Sequence, residues 1–245
     1  PRMWGGVTNA AELRRIADVA DKYQVPMVKV TGGQRIDLLG IRKEDLPGVW
    51  KDLDMPSGHA YGKSIRTVKT CVGSEFCRFG TQNSTQMGID LEHALFNMWS
   101  PHKVKLAVSG CPRNCAESGI KDVGIIGVDS GWELYIGGNG GIKTEAGEFF
   151  VKVKSAEEVM EYSLAFLQLY REEAFYLERT VHYLQRVGMD HIKQAVLNDA
   201  ERRKALHQRL LFSLSFEQDP WQEQLSKPQL KKEFDRIAVK QLENA

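Results

Sequence analysis

The sequence is short of the features that mark membrane, nucleic-acid and dinucleotide-binding proteins. Its 33 basic and 32 acidic side chains leave a net charge of +1, so no global field draws it to nucleic acid or to an anionic membrane. No apolar run is long enough to span a bilayer, and no leader-like stretch is expected. The glycine cluster GGNGG at 137–141 is not G-x-G-x-x-G and lies before no obvious helix, so no flavin or nicotinamide site is read in this chain. No internal repeat is seen. Cysteine is scarce, at four residues in 245, and nothing indicates an oxidising compartment. What is present is ordinary: 42% hydrophobic and 27% charged residues, in a length that suits one large domain or two smaller ones. The sequence opens on Pro1 directly into a structured-looking segment, so it reads as a piece of a longer protein. Reduced thiols make the cytoplasm the expected compartment.

The four cysteines organise the rest. Cys71 and Cys77 are separated by five residues in TCVGSEFC, and Cys111 and Cys115 by three in SGCPRNC. Two pairs set a helix length apart can converge from two loops and hold a metal or a cluster. The five-residue gap is wider than the knuckles of structural zinc sites. The pattern also lacks the three closely spaced cysteines of common ferredoxin runs. Both pairs lie in loops marked by Gly or Pro rather than in apolar runs, which argues against four unrelated core cysteines. A cysteine-ligated centre is expected, with iron–sulfur ahead of zinc.

C-x₅-C followed by G-C-P-x-x-C resembles the cluster motif of the sirohaem nitrite and sulfite reductases. The opening segment, residues 1–41, is similar to the ferredoxin-like half-domain of the same enzymes. The chain is most like the C-terminal part of the large subunit in the NAD(P)H-dependent bacterial branch. The resemblance implies an α+β fold: a half-domain over 1–54, a mixed-sheet sirohaem and [4Fe-4S] domain with packed helices over 64–172, and a helical extension and tail over 173–245. It implies Cys71, Cys77, Cys111 and Cys115 as cluster ligands, with Cys115 bridging to the sirohaem iron. It further implies assimilatory reduction of nitrite to ammonia, with FAD and NAD(P)H in upstream modules and a separate small subunit as partner. Because the ferredoxin-dependent members carry two copies of this unit and hold sirohaem between them, the missing wall is expected from a second identical chain in a homodimer, the alternative being upstream modules. The rival readings are an assimilatory sulfite reductase, a cluster-only electron-transfer module, and a structural zinc domain.

Sirohaem and nitrite are anionic, so the site needs cations. Arg66, Lys69 and Arg113 are expected as the catalytic set. Lys29, Gln34, Arg35, Arg78, Asn114 and Gly138 are expected to contact the cofactor. In the family's R-x-T-x-R-Q stretch, Lys29, Thr31 and Gln34 match, Gly33 replaces the second arginine, and Arg35 stands two places on.

Along the chain, Asn9 with Glu12 predicts a capping box for a helix with Leu13, Ile16, Ala17 and Ala20 on its apolar face. Strands are predicted over 25–31 and 36–39, and a helix over 43–53. The composition of residues 55–64 reads as a linker. A strand over 65–70 delivers Cys71. A helix follows Cys77, with Ile89, Leu91, Leu95, Phe96 and Trp99 as its stripe. Alternation predicts that the strand over 103–109 is exposed on one face. Further strands are predicted over 122–129 and 132–136, and Ser155 with Glu158 caps another helix. Leu177, Val181, Leu184 and Val187 share a helical register, and residues 213–245 read as an extended tail.

Overall fold

The computed structural model describes residues 1–227 and 234. The chain forms two compact units: one contains Pro1–Arg2, Thr8–Ser57 and the chain from Gln218, the other Met3–Val7 and Gly58–Glu217.

In the first unit, α1 (Ala10–Lys22) begins at Asn9, whose Oδ1 accepts from the amides of Ala11 and Glu12 at 3.0 Å each. The Glu12 carboxylate accepts from the Thr8 hydroxyl at 2.8 Å. The buried face carries Ile16 and Val19, while Leu13 and Ala17 are exposed, so the predicted stripe was rotated by about one position. The strands β1 (Met27–Val30) and β2 (Ile36–Leu39) pair antiparallel, Val30 opposite Ile36. α2 (Leu46–Leu53) carries Pro47 in its first turn, where a missing N–H costs nothing.

The second unit is built on a five-stranded sheet ordered β3-β4-β5-β6-β9. β3 (Ile65–Thr70), β4 (Val104–Ser109) and β5 (Val123–Val128) are parallel, β6 (Gly131–Ile136) pairs antiparallel with β5, and β9 (Glu148–Val153) pairs antiparallel with β6. The short α3 (Gly73–Phe76) and then α4 (Ser84–Ala94) make the crossover from β3 to β4. A small ladder of β7 (Asn139–Gly140) and β8 (Thr144–Glu145) extends the β6–β9 connection. β4 was expected to expose one face. It is instead buried on both from Leu106 onward, because it is an inner strand of the parallel part of the sheet.

α5 (Ala156–Glu173) starts with the capping box of Ser155 and Glu158 and packs against α8 (Ala200–Leu214). Between them lie α6 (Thr180–Val187), α7 (Met189–Lys193) and a π-turn over Gln194–Asn198. One apolar core runs from Val68, Leu91 and Leu106 through Ile125, Leu134 and Phe150 to Phe166, Tyr170 and Leu210, all at most 2% exposed. On α4 the buried stripe is Met87 and Leu91, continued by Leu95, while Ile89 is half-buried. Trp99, expected on that stripe, is 40% exposed beyond the helix end. Leu177 is likewise outside its predicted helix, exposed and at φ +65°, while Val181 and Leu184 are buried in α6.

The segment read as a linker has no regular structure, yet Met55, Ser57, His59 and Ser64 are buried. The segment read as an extended tail contains the end of α8 and a ninth helix, α9 (Pro220–Ser226), which Asp219 caps. Trp221 of α9 stacks on Trp50 of α2 with ring centres 5.6 Å apart. Residues 228–233 and 235–245 lie outside the described residues.

Candidate metal centre

The two cysteine-bearing arms adjoin because the strands that deliver them are neighbours. β3 and β4 are parallel and in register at their ends, Thr70 opposite Val108. Parallel strands release their following loops at the same sheet edge, so Cys71 and Cys111 emerge side by side. The Cys71 amide continues the ladder to the Val108 carbonyl at 3.3 Å. The Gly110 amide then donates to Cys71 Sγ at 3.1 Å. The Gly110 carbonyl accepts from the amides of Thr81 and Gln82 at 2.8 and 3.0 Å, which ties the chain after Cys77 to the second arm. A Cβ at Gly110 would lie 2.8 Å from the Gly73 backbone, so a larger residue would force the arms apart.

Cys111 is 7% exposed, Cys71 and Cys77 are half-buried, and Cys115 is exposed; all four are free thiols. No three His, Cys, Asp or Glu side chains among the described residues close on a single-ion position. The N-terminus of α4 adjoins the first arm. Ser84 Oγ lies 3.2 Å from Cys71 Sγ and donates to the Cys71 carbonyl at 2.8 Å, with Thr85 Oγ1 donating there at 3.1 Å. An amide donated to the sulfur, with the N-terminus of α4 beside it, suits a thiolate bearing an anionic cluster.

The cations divide into groups. Arg78 and Arg113, one from each arm, stack on the same ring: their guanidinium carbons lie 4.5 and 3.9 Å from the Phe79 centroid. Lys69 on β3 pairs with Glu117 at 3.2 Å, and Lys121 pairs with the same carboxylate at 3.0 Å. Bonding to Lys121 and then Lys69 holds the Glu117 carboxyl below its usual range. Arg66 is half-buried on β3. A bulge between Ile65 and Val68 changes the alternation there, so Ile65, Val68 and Thr70 share the core face, and Arg66 and Lys69, three positions apart, fall together on the other.

The Asn114 Oδ1 organises its own loop, accepting from Ser109 Oγ at 3.3 Å and the Gly119 amide at 3.2 Å. A Cβ at Gly138 would stand 2.4 Å from the Lys121 carbonyl oxygen, so the close approach that requires glycine there is to this chain's own backbone. Lys29, Gln34 and Arg35 lie in the β1–β2 hairpin of the first unit. Lys29 is exposed on β1, Gln34 sits in the turn at φ +56°, and half-buried Arg35 is 3.8 Å from Asp37.

Sequence reasoning missed Glu117, Lys121, Ser84 and the shared ring of Phe79. Only the four-residue spacing of Glu117 and Lys121 carried a signal, and it reads as an ordinary helical ion pair.

A mixed sheet whose two adjacent parallel strands each lead into a loop bearing a pair of free cysteines has the organisation of an iron–sulfur type of domain. The profile of the nitrite and sulphite reductase 4Fe-4S domain matches residues 61–204, and that of the nitrite/sulfite reductase ferredoxin-like half domain matches residues 1–56. The chain belongs to the nitrite and sulphite reductase family, a family of oxidoreductases. It is 62% identical to the nitrite reductase [NAD(P)H] of Bacillus subtilis over 98% of its own length and 30% of that protein. It is 34% identical to the assimilatory-type sulfite reductase of Nitratidesulfovibrio vulgaris, over 80% of this chain and 90% of that protein. Among solved structures, the Mycobacterium tuberculosis NirA protein superposes with a TM-score of 0.71 at 20% identity, covering 79% of this chain and 38% of that one, which shows a shared fold. The family's cofactor pair is a [4Fe-4S] cluster and a sirohaem. Four free thiols carried on two adjoining loops, with the Gly110 amide directed at the Cys71 sulfur, are a donor set of the kind a [4Fe-4S] cluster takes. No helix among the described residues is long and apolar enough to cross a membrane.

Proposed function

We propose that this chain is the sirohaem–[4Fe-4S] catalytic portion of an assimilatory, cytoplasmic NAD(P)H-dependent nitrite reductase, which reduces nitrite to ammonia. The observation that carries this reading is the junction of the two cysteine arms through the Gly110 amide and Cys71 Sγ. It stands in a chain 62% identical to a nitrite reductase [NAD(P)H]. When bound, the cluster and sirohaem supply single-electron relay and an iron that binds nitrogen. Cys71, Cys77, Cys111 and Cys115 would hold the cluster, and Cys115, the exposed one of the four, would also share its thiolate with the sirohaem.

Arg113 and Arg78 hold positive charge at the mouth of the two arms, pinned by Phe79 so that little side-chain entropy is lost on binding an anion. Lys69 and Arg66 present charge from the adjacent strand face. Lys29, Gln34 and Arg35 provide polar groups for cofactor carboxylates, as do Asn114 and Gly138 through their loops. Electrons arrive from NAD(P)H through FAD in upstream modules, and a small subunit completes the enzyme.

A second copy of this chain is proposed as the missing half of the assembly. Among the described residues β1 and β2 form a two-stranded sheet, with every residue of β1 exposed, and the matched domain is itself a half domain. Sedimentation of the loaded full-length protein tests this; a monomer that still reduces nitrite contradicts it.

The function itself is tested by anaerobic turnover of the loaded protein with reduced viologen. Nitrite consumption with matching ammonia, and a much lower rate with sulfite, is expected. Preferential formation of sulfide would establish the sulfite reductase reading instead.

A further inference from the structure

β3 is the edge strand that carries Cys71, and among the described residues no strand lies beside its outer side. It is held there by a clasp made from Met3–Val7 and α4. The Glu92 carboxylate, on α4 and 1% exposed, accepts through Oε2 from the amides of Gly5 at 2.8 Å and Val68 at 3.2 Å. The Gly5 carbonyl accepts from the Thr70 hydroxyl at 2.6 Å. Glu92, Gly5, Thr70 and Val68 thereby close a ring on the last turn of strand before Cys71. The Trp4 ring stacks on His93 with centres 3.9 Å apart and keeps the segment against the helix.

An apolar side chain at position 92 would extend the buried stripe of Met87 and Leu91, and burying a carboxylate instead is costly unless its oxygens are bonded. The carboxylate is therefore kept for the amides it receives. One of these, Val68, stands immediately past the bulge that turns Arg66 and Lys69 to the same face. The other returns through Gly5 to Thr70, the residue before the ligand.

We infer that Glu92 and Thr70 are positioning residues for the iron–sulfur centre: they clamp β3 so that Cys71 and the Arg66–Lys69 face are held in register with the second cysteine arm. This rests on the cluster assignment above. Neither residue touches the cluster; each acts through the strand.

The test compares the wild-type protein, loaded with cluster, with Thr70→Val, Glu92→Ala and Glu92→Gln. Thr70→Val is nearly isosteric and removes only the hydroxyl. Leu206→Ala, in the helical layer, serves as a control for general destabilisation. The readouts are the electron paramagnetic resonance line shape of the reduced cluster and the rate of iron loss to a chelator, each measured on folded protein. Thr70→Val and Glu92→Ala are expected to broaden the signal and lose iron on the order of tenfold faster, the scale of supporting-contact effects at metal sites. Glu92→Gln, which keeps an acceptor oxygen, is expected to recover most of the wild-type behaviour. Leu206→Ala should lower the melting temperature without either change. If Glu92→Ala fails to fold, Thr70→Val decides alone. Wild-type line shape and iron loss in Thr70→Val would overturn the inference while leaving the cluster assignment standing. A wild-type protein that takes up no cluster would instead overturn the assignment beneath it.

Discussion

Lys69 of the first cysteine arm and Glu117 of the second are ion-paired at 3.2 Å. Lys121 shares the same carboxylate, so two cations and one anion remain beside the thiols as a net positive cluster. Glu117 is half-exposed, so this contact is worth at most about 1 kcal/mol. Its value is placement: it fixes the Lys69 ammonium across the seam between the arms.

Lys69→Gln and Arg113→Gln should therefore leave the melting temperature nearly unchanged while weakening sirohaem retention or raising the nitrite requirement. A Gln at 113 loses both the charge and the planar fork that stacks on Phe79. Haem content and steady-state kinetics check this. Unchanged values in both variants would remove these residues from the site.

Any single cysteine-to-serine change should cost most of the bound iron, since each pair supplies ligands from a separate arm. Cys77→Ser is the sharpest case, because Cys77 ends the short α3 and packs no core. Iron analysis of the anaerobically purified variant reads the result, and full retention would sink the four-ligand assignment.

Asp122→Ala should destabilise the second unit by about 3–5 kcal/mol, the range for breaking a buried charge pair. Asp122 is 1% exposed and accepts from the Lys105 amide at 2.8 Å, from Arg179 at 3.0 Å and from the Thr180 hydroxyl. Removing it leaves the half-buried Arg179 guanidinium beside the start of α6 without its carboxylate. Thermal unfolding should show a fall in melting temperature of roughly 10 °C. A change of a degree or two would show that the pair is not the anchor described.

Acid should loosen the first unit through Asp52. Bonding to the Lys22 ammonium, and then to the Tyr23 hydroxyl, holds its carboxyl below the usual range. The folded pKa is below the unfolded one, so its stabilisation is fully present above the unfolded value of about 3.9 and is lost as pH falls towards the folded value. Asp52→Asn should narrow the difference in stability between neutral pH and pH 3. An unaltered pH profile in that variant would contradict the assignment.

What the sequence made legible was local. The strand 65–70, the strand at Ile36–Leu39 and the Ser155–Glu158 capping box are written in adjacent residues, and each stands where it was read. The meeting of the cysteine arms was legible as a motif, though its cause was not: it depends on β3 and β4 being parallel neighbours, a pairing that periodicity does not encode. Inner-strand burial of β4 escaped for the same reason. The shared face of Arg66 and Lys69 depends on one extra residue in a bulge, without which a spacing of three would place them on opposite faces. The stretch from 213 on was expected as an extended tail, whereas after the cap of Asp219, Pro220 is the first residue of α9. The Gly138 crossing over Lys121 joins distant segments, and a glycine pair alone cannot say what it packs against.

The most direct measurement of the account as a whole is one ultraviolet–visible spectrum of the anaerobically purified protein, with iron quantified on the same sample. The account predicts a haem Soret band with long-wave bands, over the broad absorption of an iron–sulfur cluster. A colourless protein, or one that binds zinc in place of iron, would contradict it.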